Sequence, residues 1–153
     1  MERALYELNR FDTDGAACYF EPQYVAGGAE PAGAWLGMAN YDKAMFILLG
    51  GDCTNIGDVL NAAVWQATSA AGAGAKLVAN KNITAYTTAG TNLNNLWYIA
   101  VNVDELDVDN AFAWIQLVIT VSAADSMYLA ALCQRQSRVF EPVPVTSVTE
   151  IIA

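Results

Sequence analysis

Apolar runs of strand length recur along this chain, and turn residues punctuate them every eight to fifteen positions. This spacing restricts the fold more than any other feature. Ala44–Leu49 is continuously apolar, as expected of a strand buried on both faces. Leu96–Val103 sets Trp97, Ile99, Val101 and Val103 on one face, and Phe112–Val121 does the same with Ile115, Leu117, Ile119 and Val121. In Val59–Ala67 the alternate sets Val59, Ala63, Trp65, Ala67 and Leu60, Ala62, Val64, Gln66 are apolar except at Gln66, so it too reads as a doubly buried strand, although Asp58–Ala67 is also compatible with helix. Met127–Cys133 is a further strand whose Ala and Leu content would tolerate helix. Turn signals stand between them at Gly27-Gly28, Pro31–Gly33, Gly50-Gly51, Gly72–Gly74, Ala89-Gly90 and Asp107–Asn110. With no long amphipathic helix between strands, the pattern predicts an all-β fold, a β-sandwich or jelly roll.

The ends differ from the middle, which divides the chain into an N-terminal arm (1–15), a β-sandwich domain (16–138) and a C-terminal arm or edge strand (139–153). Residues 1–15 interleave charges with Leu5, Tyr6, Leu8 and Phe11, and Glu2–Arg10 has a short helical spacing. Residues 139–153 carry a proline pair, which resists a central strand, and then β-branched residues. Leu5, Tyr6, Leu8, Phe11, Phe140, Val145 and Ile151 are therefore interface candidates. Each tail either reaches a neighbour or packs on its own domain.

Composition bears on the partners. Of 153 residues, 55% are hydrophobic and 15% charged, against about 25% charged in ordinary soluble domains. The chain is apolar enough for a core of its own, but part of the surface is expected to meet protein rather than water, as in a homo-oligomer or larger assembly. Seven Lys and Arg against sixteen Asp and Glu leave a net charge of −9. That balance argues against direct nucleic-acid binding, which relies on cations at phosphates, and against anionic membranes. Residues 1–15 contain no apolar signal core, and Ala44–Leu49 is far short of a bilayer span, so synthesis and folding are expected in a cytoplasm.

Signatures of chemistry are sparse. The sequence has no histidine, which removes Ser-His-Asp and Cys-His catalysis and most zinc sites. Gly72-Ala-Gly-Ala-Lys76 lacks P-loop spacing and its hydroxyl residue. The acidic run Asp104–Asn110 lacks EF-hand spacing and reads as a solvated connection. No enzymatic activity, metal or cofactor is expected. Cys18, Cys53 and Cys133 are an odd, dispersed set that reads as buried thiols, while Cys53, in the apparent exposed turn Gly50–Asn55, is the candidate for an intermolecular disulfide. Trp35, Trp65, Trp97 and Trp114 all fall in expected strands.

Tyr6–Asp12, Gln66–Lys76 and Val103–Phe112, in that order, resemble segments of small β-sandwich virion proteins of tailed phages, encoded near the major capsid protein. The shared motifs are structural. The resemblance implies a capsid-associated subunit without an active site: a decoration (cement) protein on the outside of a phage head, partnered by the major capsid protein and by copies of itself. The alternatives are a neck, collar or tail subunit, and a carbohydrate-binding β-sandwich used in host adhesion.

Overall fold

Trp114–Val121 buries every second side chain: Ile115, Leu117, Ile119 and Val121 are at most 1% exposed. This is the period-two signature of a strand with one face in a core. The computed structural model, which describes residues 11–12, 19–53, 59–87, 92–122 and 126–137, repeats that pattern in antiparallel strands. They are β1 (Phe11–Asp12), β2 (Phe20–Val25), β3 (Leu36–Gly37), β4 (Tyr41–Cys53), β5 (Val59–Ala67), β6 (Lys76–Thr87), β7 (Asn92–Asn102), β8 (Trp114–Val121) and β9 (Met127–Ser137).

The strands form two sheets, ordered β2-β9-β4-β7, with β1 also on the free edge of β9, and β3-β8-β5-β6. Apart from β1-β2 and the β5-β6 hairpin, successive strands pass back and forth between the sheets, so each sheet interleaves distant parts of the sequence. This order is a jelly roll, and the expected β-sandwich class is observed. Between the sheets lie Phe46, Met38, Leu60, Val64, Val101 and Met127, all inaccessible to water.

Tyr19 ties the β3 edge to this core. Its hydroxyl donates to the Ala34 carbonyl and accepts the Leu117 N–H, each at 3.0 Å. Its ring meets Phe46 edge-on, with centroids 5.1 Å apart, and burial pushes the phenol well above its ordinary pKa. Gly33 lies flat against that ring; a Cβ there would come within 2.4 Å of it.

The structure corrects several sequence expectations. Asp58–Ala67 contains a strand, not a helix, because Leu60, Ala62 and Val64 fill the core at period two. Trp35 precedes β3 instead of lying in a strand. Gly50 and Gly51 do not make a turn: both belong to β4, where Gly50 sits opposite Leu129. Most consequentially, Ala44–Leu49 is covered on one face alone. Ala44, Phe46 and Leu48 are buried, whereas Leu49 is 41% exposed.

Candidate functional site

The outward face of the β2-β9-β4-β7 sheet is apolar. Strand register sorts its side chains into rows: Tyr24, Tyr128 and Gly51; then Ala130, Leu49 and Leu96; then Leu132, Ile47 and Tyr98; then Gln134, Met45 and Ala100. The rows arise because β4, β7 and β9 carry apolar residues at both odd and even positions, and one sheet can bury just one set in its own sandwich. Tyr98 is 66% exposed, Tyr128 56%, and Tyr24 and Leu96 52% each. Tyr24 and Tyr128 lean on each other with centroids 5.2 Å apart. These rows contain no Asp, Glu, Lys or Arg. Lys43, flanked by Gln136 and Asn102, begins the polar rim.

A second feature lies at one end of the sandwich. Trp35, Gly37, Asn40, Tyr41, Trp114 and Arg135 line an open cleft of about 340 Å³. The Arg135 guanidinium, buried in the wall, donates to the Gly37 carbonyl at 2.6 Å and stacks 4.0 Å from the Tyr41 ring. Trp35 packs over Gly72, whose positive φ of 77° and contact with the indole both disfavour a side chain.

The acidic connection beside this end is organised as two 3-10 turns, Val103–Glu105 and Val108–Asn110. Glu105 accepts the Asn102 backbone N–H at 2.7 Å and pairs with Lys81 at 2.8 Å. The backbone bond, then the lysine, holds its carboxyl below the usual range. Asp107 accepts from Lys76 and from Asn110, and those bonds, the lysine's first, lower its pKa likewise. Gln66, the polar member of an otherwise apolar buried set on β5, accepts the Asp107 N–H at 2.8 Å. The carboxylates of Glu105 and Asp107 thus close the connection onto β6, and the Asp107 backbone N–H ties it to β5 through Gln66. Among the described residues no three carboxylates or thiols gather as metal ligands.

Most sequence-derived interface candidates, Leu5, Tyr6, Leu8, Phe140, Val145 and Ile151, lie outside the described residues. Phe11 contributes its backbone to β1, opposite Gln136. Cys53 is 8% exposed and packs against the core. This corrects the exposed turn on which its disulfide candidacy stood: β4 continues through the glycines and turns the thiol inward. Sequence reading missed the apolar face because an unbroken apolar strand looks the same whether its second face meets its own chain or another molecule. The low charge content was the available signal. Among the described residues no helix is long and apolar enough to cross a membrane.

No protein-family model matches the chain, and no curated protein matches it in sequence. Solved structures do resemble it in shape. A chain of infectious bursal disease virus Gt strain superimposes with a TM-score of 0.52 at 15% identity, over 82% of this chain and 33% of that one. The Gx strain of that virus gives 0.49 at 16% identity, over 86% of this chain and 32% of that one. This protein therefore spans about a third of those viral chains. The first likeness supports the β-sandwich fold.

Proposed function

We propose that this protein is a structural virion subunit: a decoration protein that binds the outside of a phage head and ties capsid subunits together. The observation that carries the reading is the uncharged, tyrosine-rich outer face of the β2-β9-β4-β7 sheet. A patch like this is costly to leave in water and suits repeated protein contact. The shared jelly-roll shape with a viral chain is consistent with the role. The net charge of −9 favours the outside of a head, since an interior protein would face packaged phosphate. Symmetry would multiply each modest contact around the shell, with the major capsid protein and further copies of the chain as partners. Catalysis has no part in this reading, nor does a cofactor.

Quantifying the protein in purified particles and locating it by cryo-EM tests the proposal. Copy numbers in the hundreds on the head surface support decoration; about a dozen or fewer point to a neck, collar or tail ring. Absence from particles overturns both.

A second reading, carbohydrate binding in host adhesion, draws on the cleft. Trp35, Trp114 and Tyr41 offer ring surfaces beside the amide of Asn40, a combination of apolar platform and polar group suited to sugars. Binding on a glycan array that Trp35→Ala and Trp114→Ala abolish would establish it. Silence across the array removes it.

A further inference from the structure

We infer that the outer face of the β2-β9-β4-β7 sheet seats a second copy of this chain, packed face to face about a two-fold axis running across the strands. The inference rests on reading that face as an assembly surface, and it names the occupant and its symmetry.

Size is the first argument. Rows two residues apart along the strand and strands about 4.8 Å apart give the rows a footprint of roughly 400 Å². Surrounded by a polar rim, it supplies the core of an interface burying about 800 Å² per partner.

Charge is the second. Two chains of −9 repel wherever their acidic surfaces meet. The four rows, free of acids and bases, are the place where two copies can close without burying an unpaired charge.

Shape decides the axis. A two-fold across the strands, midway between the Leu49 and Ile47 rows, sets Gly51 against Met45 of the other copy and Ala130 against Leu132. Leu49 then meets Ile47, and Leu96 meets Tyr98. Each facing pair thus sets a smaller residue against a larger one or two aliphatic chains against each other. An axis along β4 would still match Ala130 with Leu96 and Leu132 with Tyr98, but it would set Gly51 against Gly51 and Met45 against Met45, pairing the smallest residue and the longest each with itself. At the rim, the cross-strand axis brings the Lys43 end of one copy over the exposed Asp52 end of the other, a favourable term that neighbouring Asp42 reduces.

The test is the mass of the full chain in solution, followed by charge exchange across the axis. Sedimentation should give twice the chain mass. Ile47→Lys and Leu49→Asp should each weaken the dimer by about a hundredfold or more, because each sets a charge against an apolar residue. Mixed in equal amounts they should recover at least about tenfold as a heterodimer, since the ammonium introduced on one copy would then face the carboxylate introduced on the other across the axis. Tyr98→Lys, at the most exposed position of the face, should break the dimer and still unfold in one cooperative transition, lowered by no more than the parent's melting temperature falls on dilution to monomer.

A monomeric full chain overturns the inference, as do variants that dimerise like the parent. Loss without recovery in the mixture overturns the cross-strand axis. A monomer that dimerises once residues 138–153 are removed identifies the chain's own tail as the occupant instead. A monomer that still enters particles sinks this inference and spares the virion reading; a dimer missing from particles does the reverse.

Discussion

On the β3-β8-β5-β6 sheet, the outward residues are mixed: Asn61 pairs with Thr120, Asn82 with Ala63, and Trp65 with Gln116. On the β2-β9-β4-β7 sheet, the equivalent positions are Tyr24, Tyr128, Leu49, Leu96, Ile47, Tyr98 and Met45, with Gln134 as the polar exception among the side chains of the four rows. Both sheets bury their inward residues equally well. The first sets Asn61, Thr120, Asn82 and Gln116 outward among Ala63, Val118, Trp65 and the exposed Leu77, so polar groups break up its apolar surface. The second offers water a surface with the composition of an interface. Two outer faces built on the same backbone geometry thus differ in whether the sandwich is finished there.

The comparison breaks most completely if the shared core fails. Phe46→Ala removes a fully buried ring between the sheets and should cost about 3–5 kcal/mol. Calorimetry should show one cooperative transition moving to lower temperature, with strand signal lost from both sheets together. A transition split in two would mean that the sheets are separately stable.

A matched pair of lysine substitutions sharpens the contrast. Leu96→Lys, on the apolar face, should weaken self-association by about a hundredfold. Thr120→Lys, on the mixed face, should change it by less than about threefold. Sedimentation of both variants reads the difference; equal effects would erase the distinction between faces.

Smaller still is the edge contact at Gly33. Gly33→Ala pushes a methyl into the Tyr19 ring and should cost about 1–3 kcal/mol through overpacking, visible as a lower denaturation midpoint. Self-association should be unaltered, because the Gly33 carbonyl is held by Gln116 of β8, in the sheet away from the apolar face.

The smallest effect concerns acid. The folded pKa of Glu105 lies below its ordinary 4.5, chiefly through the Asn102 N–H and then Lys81. Its contribution is therefore present above that pH and lost as pH falls through the depressed folded value. Glu105→Gln should remove part of the acid-induced fall in melting temperature below about pH 4.5 and leave neutral-pH association unaffected. An acid limb identical to the parent's would show that the pair contributes nothing.

Several strands were legible from residue order. Ile115, Leu117, Ile119 and Val121 declare their buried face by strict alternation, and the structure buries all four. Trp97, Ile99 and Val101 likewise point inward. Where both alternate sets are apolar, periodicity loses its power. The residues of Ala44–Leu49 look doubly buried, yet Met45, Ile47 and Leu49 face outward. Glycine was a second source of error, because Gly50-Gly51 reads as a turn in isolation. In the sheet, Gly51 lies beside Tyr128, where a Cβ would come within 3.2 Å of that side chain. Arg135 gave no usable signal, since a basic residue late in a strand ordinarily marks a solvated end, and here it is buried.

Local sequence alone determined that this chain is an antiparallel β protein with few charges for its surface, because alternation and turn chemistry act over a few residues. It also showed strands apolar on both alternate sets, without saying what their second face meets. Only tertiary structure decided which of those faces stays exposed. The interleaved order β2-β9-β4-β7 gathers residues as far apart in sequence as Tyr24 and Tyr128 into one continuous face. Pairing across such distances depends on how the whole chain closes, and no window of sequence contains it.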